Sequence, residues 1–496
     1  MSDTGTHHRS TPPFRHALYL GALCGALLLA FVSIGVAAYD WPQFDGGPQH
    51  TGNNPQETAI TPANVAGLSV LFQTALPDVA DGAPAVLQAV GTASGVVDLV
   101  FVTTRAGHII ALNARTGLTV WSRPHGPGPC RTNAGSTPCY TTASPALDPN
   151  RQFVYAYGLD GYAHKHRVGD GAEITGGGWP ALATSKPQDE KGSSALSVAT
   201  AADGTSYLYV SHAGYPGDAG DYQGHLTTIN LATGAQHVFN MLCSAQTVHF
   251  AAAPRSPDCG ETHGAIWARP GVVFDPQTGR IYLATGNGAF DGVQDWGNSV
   301  VALHPDGTGG ANGGPLDSYT PTNYVALDAG DLDVGSTAPA LVPTPAGSVV
   351  THLAVQGGKD GMLRLLDLDN LSGQGSPGHI GGEVGPAIPL PQGGEVLSSP
   401  AVWVNPRDGR IWVFVTTDQG IAGLRLTSGA GGLPVLQPVW QKGGTSDASP
   451  LVANGVLFHA DGARVIAYDP TNGDVLGQTP AVLGGFHWES PVVANG

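Results

Sequence analysis

The chain has 496 residues, of which 72 are glycine and 39 proline, and only 12% are charged. Its formal net charge is −17 with no basic cluster beyond the N-terminal leader, which argues against nucleic acid as a partner, because phosphate binding needs concentrated positive charge. Apolar residues make up 41% and fall in short runs, the pattern of a folded chain whose surface is built from hydrogen-bonded turns.

The first 38 residues stand apart. Arg9, Arg15 and His16 precede an apolar run from Ala17 to Val36, and Val36-Ala37-Ala38 offers a small-residue cleavage site, the grammar of an export signal. The run is also long enough for an uncleaved anchor. Residues 1–38 therefore read as a signal peptide or N-terminal membrane anchor, the only membrane contact expected, and 39–496 as one periplasmic or secreted domain. Cys24 lies in the leader. Export permits disulfides, and of the three connectivities open to the other four cysteines, Cys130–Cys139 and Cys243–Cys259 is the simplest. No CxxC or CxxCH occurs, so neither a zinc knuckle nor a covalent c-type haem is encoded.

Beyond the leader a strand opener recurs: DGAPAVL (81–87), TASPALD (142–148), GSSALSV (192–198), WARPGVV (267–273), GSTAPALV (335–342), LSSPAVWV (397–404), DASPLVA (447–453) and ESPVVANG (489–496). Most are followed by further short strands, and some copies carry a turn and a closing tryptophan, as in ALNARTGLTVW. The clearest copy is 263–288, where an Asp-Pro-x-x-Gly turn at Asp275–Gly279 separates two apolar runs, an antiparallel hairpin. Four short strands per unit at this period is the signature of a β-propeller blade. Eight starts predict an all-β, eight-bladed β-propeller. Because ESPVVANG stops after one strand, the last blade is incomplete, and Leu68–Leu76 (LSVLFQTAL) is expected to close it from the N-terminal side. Seven complete blades plus a remnant is the alternative.

Two further features stand out. His164 and His166 lie two apart on a strand and so share a face, where they would either meet a metal or point to solvent. The Gly/Asp-rich loop 214–221 has the composition of a structural calcium loop.

The ALNARTGLTVW repeat resembles the tryptophan-docked blades of pyrroloquinoline quinone (PQQ) propellers, and WPQFDGGPQHTGNN resembles the segment that opens many of them. GAIWARP…FDPQTGRIYLATGNG, with WGNSVVAL, DLDVGS and GGKDG, is similar to the PQQ-dependent (quinoprotein) alcohol dehydrogenases, nearest to the polyvinyl-alcohol dehydrogenase type. The resemblance implies PQQ and Ca²⁺ as cofactors, with Trp267 stacking under the quinone and Asn287 ligating calcium. It makes Asp333 the base that takes the alcohol proton and a calcium neighbour, with Asp331 as second choice. Lys359 would bond the quinone oxygens. The family's glutamate ligand has no clean match; Asp218 and Asp221 both occupy its region. The adjacent cysteine pair of several relatives is absent, and the spacing from Trp267 to Asp275 is about two residues longer than the family's. The function implied is oxidation of small-molecule or polymeric alcohols, with electrons passing to a separate cytochrome c or other acceptor. The competing reading is a non-catalytic propeller serving as a scaffold or binding module.

Overall fold

The computed structural model describes residues 39–126, 130–133, 135–216, 218–251, 258–444, 448–462, 464–481, 488 and 490–496. The predicted leader, 1–38, lies outside the described residues. Among those described, no helix is long and apolar enough to cross a membrane.

Among the described residues the body, Ala38–Gly496, holds seven sheets of four or five strands, antiparallel except for one pairing. In blade 1 the strands are Ala85–Thr92, Gly95–Thr103, His108–Asn113 and Thr119–Pro124, hydrogen-bonded in that order. Blades 2 to 7 begin with Ala146–Leu147, Glu190–Gly192 and Ser197–Thr200 (blade 3), Val273–Asp275, Ala340–Val342, Ala401–Val404 and Leu451–Ala453. Each first strand grows out of one of the first seven openers. Strands such as Ile411–Thr417 are buried along their whole length, as expected for sheets covered on both faces.

Seven apolar seams join the blades in a ring. Leu87, Phe101 and Trp121 meet Val154 and Ala156 between blades 1 and 2, and equivalent clusters join blade 2 to 3, 3 to 4, 4 to 5, 5 to 6 and 6 to 7. The closing tryptophans dock across these seams. Trp121 Nε1 donates to the Val168 carbonyl at 2.8 Å, and its ring lies so close to Gly171 that a Cβ there would sit 2.5 Å away. Trp440 repeats the contact with the Pro470 carbonyl at 2.9 Å.

The eight-bladed expectation is thus corrected to seven sheets. ESPVVANG finds no partner strand among the described residues, so its backbone is satisfied by side chains instead. Asn54 Nδ2 donates to the Val493 carbonyl at 2.6 Å, Asn495 exchanges bonds with Tyr39, and Glu57 accepts from the Gly496 N–H. These residues, with Trp41 and Val65, fill the seam between blades 7 and 1. Leu68–Leu76 is not a closing strand either. It lies extended with Leu71 78% exposed, tied down by Thr74 Oγ1 donating to the Gly117 carbonyl. Among the described residues its apolar run pairs with no strand. The N-terminal strand that does join a sheet is Asn53–Asn54, parallel to Leu451–Ala453.

Just before it, residues 41–52 thread the hub. Their backbone groups bond Val86, Leu147, Phe274, Val402 and Val452, and the Gln43 amide bonds Val198. The first strands of blades 1, 2, 3, 4, 6 and 7 are all engaged by this one segment.

Candidate active site

Every strand opener puts a few irregular residues ahead of the first strand, and every second strand ends in a turn on the same rim. On blades 4 and 5 these positions carry the residues singled out from the sequence. Trp267 precedes Val273–Asp275, and Asn287 follows the second strand, Arg280–Ala284. Asp333 caps the short 3-10 turn Val334–Ser336 ahead of blade 5, and Lys359 follows the strand Leu353–Gln356.

The four converge. Lys359 Nζ lies 2.6 Å from Asp333 Oδ2 and 3.4 Å from Asp331 Oδ1, and 5.3 Å from the centre of the Trp267 ring. The Asn287 backbone N–H donates to Asp333 Oδ1 at 2.7 Å. Gly286 makes the approach possible, since a Cβ there would meet Asp333 Oδ1 at 2.6 Å and Trp267 Nε1 at 3.2 Å. Of the two aspartates left open, Asp218 is the one brought in: Asn287 Nδ2 donates to its Oδ2 at 3.4 Å, and Tyr222 OH donates to its Oδ1 at 2.6 Å. Asp221 is committed elsewhere, its carbonyl to Lys186 Nζ and its carboxylate to Gln223. Asp331 stays exposed at the mouth.

Burial sets the electrostatics. Asp333 is 4% exposed, and loss of solvent pushes its carboxyl above the usual carboxylate range, although Lys359 and the Asn287 N–H pull the other way. Burial also works against the Lys359 charge, but Asp333 and Asp331 overcome it and hold the ammonium above its ordinary value. A buried carboxylate with raised proton affinity inside hydrogen-bond reach of a reactant is a general base.

The chain's scarcity of charge makes a second cluster conspicuous. Arg269, two residues after Trp267, is buried and bonds Asp81 Oδ1 at 2.9 Å and the Thr142 carbonyl at 3.0 Å. Arg105 and Lys191 lie 4.1 and 4.9 Å from the centre of the Tyr140 ring. Burial, then Arg269, brings the Lys191 pKa down to about 7. Trp488 completes the link, its ring 5.9 Å from that of Trp267 and 5.4 Å from the Arg269 guanidinium. Sequence reasoning missed this group; the neighbouring Arg269 in Trp-Ala-Arg-Pro was the available signal. A cleft of about 500 Å³ opens beside Arg105, Tyr140 and Tyr215. A larger groove of about 680 Å³ lies among 87–93 and 167–170, at the other ends of the strands, and touches none of the site residues.

Both predicted cysteine pairs are closed as disulfides, with Cα separations of 5.4 and 5.9 Å. The 130–139 loop borders the 500 Å³ cleft through Cys139 and Pro138.

The sequence profile of the glucose/ethanol/alcohol dehydrogenase β-propeller domain family matches residues 41–370. No curated protein matches by sequence. Among solved structures, a europium-containing methanol dehydrogenase superposes with a TM-score of 0.65 at 16% identity, covering 91% of this chain and 87% of that one. The quinohemoprotein alcohol dehydrogenase of Comamonas testosteroni gives 0.62 at 18%, covering 91% and 74%. At these identities the superpositions establish the shared fold.

Proposed function

The chain belongs to the PQQ family of glucose/ethanol/alcohol dehydrogenase β-propellers, and from that membership and the converged rim of blades 4 and 5 we propose an exported, PQQ- and calcium-dependent oxidoreductase acting on alcohol groups. Secondary or polymeric alcohols of the polyvinyl-alcohol kind are the substrates it would take, with a separate cytochrome or other acceptor receiving the electrons. The observation that carries this reading is Asp333, buried, paired with Lys359 at 2.6 Å and set beside the half-buried indole of Trp267.

The residues present fit both groups. Asp218, Asn287 and Asp333 offer two carboxylates and an amide, the oxygen set a hard cation takes; turning the Asn287 amide over would put its oxygen beside Asp218. Trp267 offers a flat aromatic face, and Arg105, Lys191 and Arg269 supply positive charge for a polycarboxylate. When bound, PQQ would supply the two-electron acceptor and the ion a Lewis acid. The protein's part is to orient and to move one proton. Asp333 accepts the alcohol hydroxyl proton as the carbinol hydrogen leaves with its electron pair. Lys359 stabilises negative charge that grows on the acceptor side.

Titration with PQQ, with and without calcium, followed by dye reduction with alcohols, tests the proposal. Micromolar quinone binding and alcohol-dependent reduction are expected; no quinone binding at that concentration would end the reading. In that event the non-catalytic binding module gains weight, and one observation already favours it: Trp488 lies against Trp267, where a flat ligand would stack.

A further inference from the structure

Away from the rim site, the seam between blades 1 and 2 holds a second constellation. His125 follows the outer strand of blade 1, Thr119–Pro124, and His164 and His166 sit on the strand Tyr162–Arg167 of blade 2. Neither histidine of that strand points to solvent: they are 3% and 0% exposed and face blade 1. His166 Nδ1 lies 3.1 Å from the Gly171 carbonyl, which fixes the proton on Nδ1 and leaves the Nε2 lone pair free. That lone pair meets His125 Nε2 at 2.7 Å. The His125 ring is stacked on His164 at 3.7 Å. His164 in turn reaches Glu173 Oε1 through Nδ1 at 2.7 Å and Asp160 Oδ1 through Nε2 at 3.1 Å. One ligand atom each from His125, His164 and Glu173 falls within 4.8 Å of the others.

We infer that this seam is a binding site for a zinc-class divalent cation, held by His125, His164 and Glu173, with His166, in contact with His125, joining as a fourth ligand once that contact opens. Imidazole and carboxylate together are the ligands of such ions. A ligating imidazole ordinarily donates its second N–H to a carbonyl or carboxylate, and the Gly171 carbonyl already performs that service for His166. Charge points the same way. Asp160 and Glu173 bring two negative charges to the seam, set against the one positive charge of Arg123 on the Gly171 carbonyl, so with neutral imidazoles the balance attracts a cation. Without the ion, His164 sits between the two carboxylates, its Nδ1 on Glu173 and its Nε2 on Asp160, at the same nitrogens a proton would occupy. Metal and proton thus compete. Two nitrogens on one tetrahedral ion stand about 3.3 Å apart, given bonds of about 2.0–2.1 Å, so the His125–His166 contact opens by about half an ångström on binding. The ion would clamp blade 1 to blade 2 beside the docked Trp121, whose ring is 6.2 Å from that of His166.

The test titrates Zn²⁺, and Co²⁺ as a spectroscopic probe, into the full chain without added quinone or calcium, so it is independent of the oxidoreductase reading. One saturable site is expected, with the visible Co²⁺ absorption of four-coordinate geometry, a metal-dependent rise in melting temperature and weaker binding at lower pH. Glu173→Gln, at an exposed position that leaves folding intact, and His166→Gln should each weaken binding by more than about tenfold. His379→Gln, on blade 5, should not. Absence of saturable binding, or binding that survives both seam variants, would overturn the inference and leave an imidazole hydrogen bond.

Discussion

Two of the carboxylates buried in this ring have opposite characters. Glu57, 2% exposed in the seam between blades 7 and 1, accepts from Tyr39 OH and from the backbone N–H groups of Ala59, Ile60 and Gly496. Those donors overcome burial and hold its pKa below the usual range. Asp333 has one backbone donor and one ammonium, and burial wins. Glu57 is saturated with donors; Asp333, the base of the proposed reaction, is left wanting a proton.

The comparison can be broken in order of expected effect. Asp333→Asn should lower turnover by about 10²–10⁴-fold, the range for losing a general base, while quinone binding holds. Unchanged turnover in a kinetic assay would show that Asp333 is not the base. Glu57→Ala should do the reverse, costing about 3 kcal/mol in denaturant unfolding, the scale of orphaning buried donors, with turnover per folded molecule intact.

Titration sharpens the contrast. Because Lys359 lowers the proton affinity of Asp333, Lys359→Met should move the acid limb of the kcat/KM–pH profile to higher pH. The stability effects run in opposite directions. Glu57, with its folded pKa depressed, stabilises above the ordinary carboxylate value and loses that contribution as pH falls through the folded value. Asp333, with its folded pKa raised, favours the fold at low pH, and that contribution disappears as pH rises through its folded value. Melting curves against pH should therefore show the Glu57→Gln deficit shrinking in acid. Asp333→Asn should gain on the parent as pH rises from acid.

What could be read from the sequence was whatever is written locally. Seven openers became first strands because small residues before a β-branched run encode an entry to a strand. Trp267, Asn287, Asp333 and Lys359 were visible through the resemblance of their short motifs to those of a known family, since the turn sequences alone do not mark a site. The eighth opener misled because an opener says nothing about whether a second strand arrives to pair with it. Leu68–Leu76 misled because apolarity does not guarantee a neighbour. Lys191, Arg105 and Trp488 were invisible, since only ring closure brings them near Trp267. For His164 and His166 the shared face was legible, but the blade that covers it was not.

The thread through the hub sets the order of assembly. Tyr39 contacts Asn495, 456 residues away along the chain, and the stretch just after Tyr39 engages six first strands. Contacts so distant pay the full entropy of closing the largest loops and accumulate late. Residues 41–52 must wait for first strands as distant as Leu451–Ala453, leaving a long interval in which half-built blades expose their seams. Such a ring is a slow folder, vulnerable until its own beginning is locked into its middle.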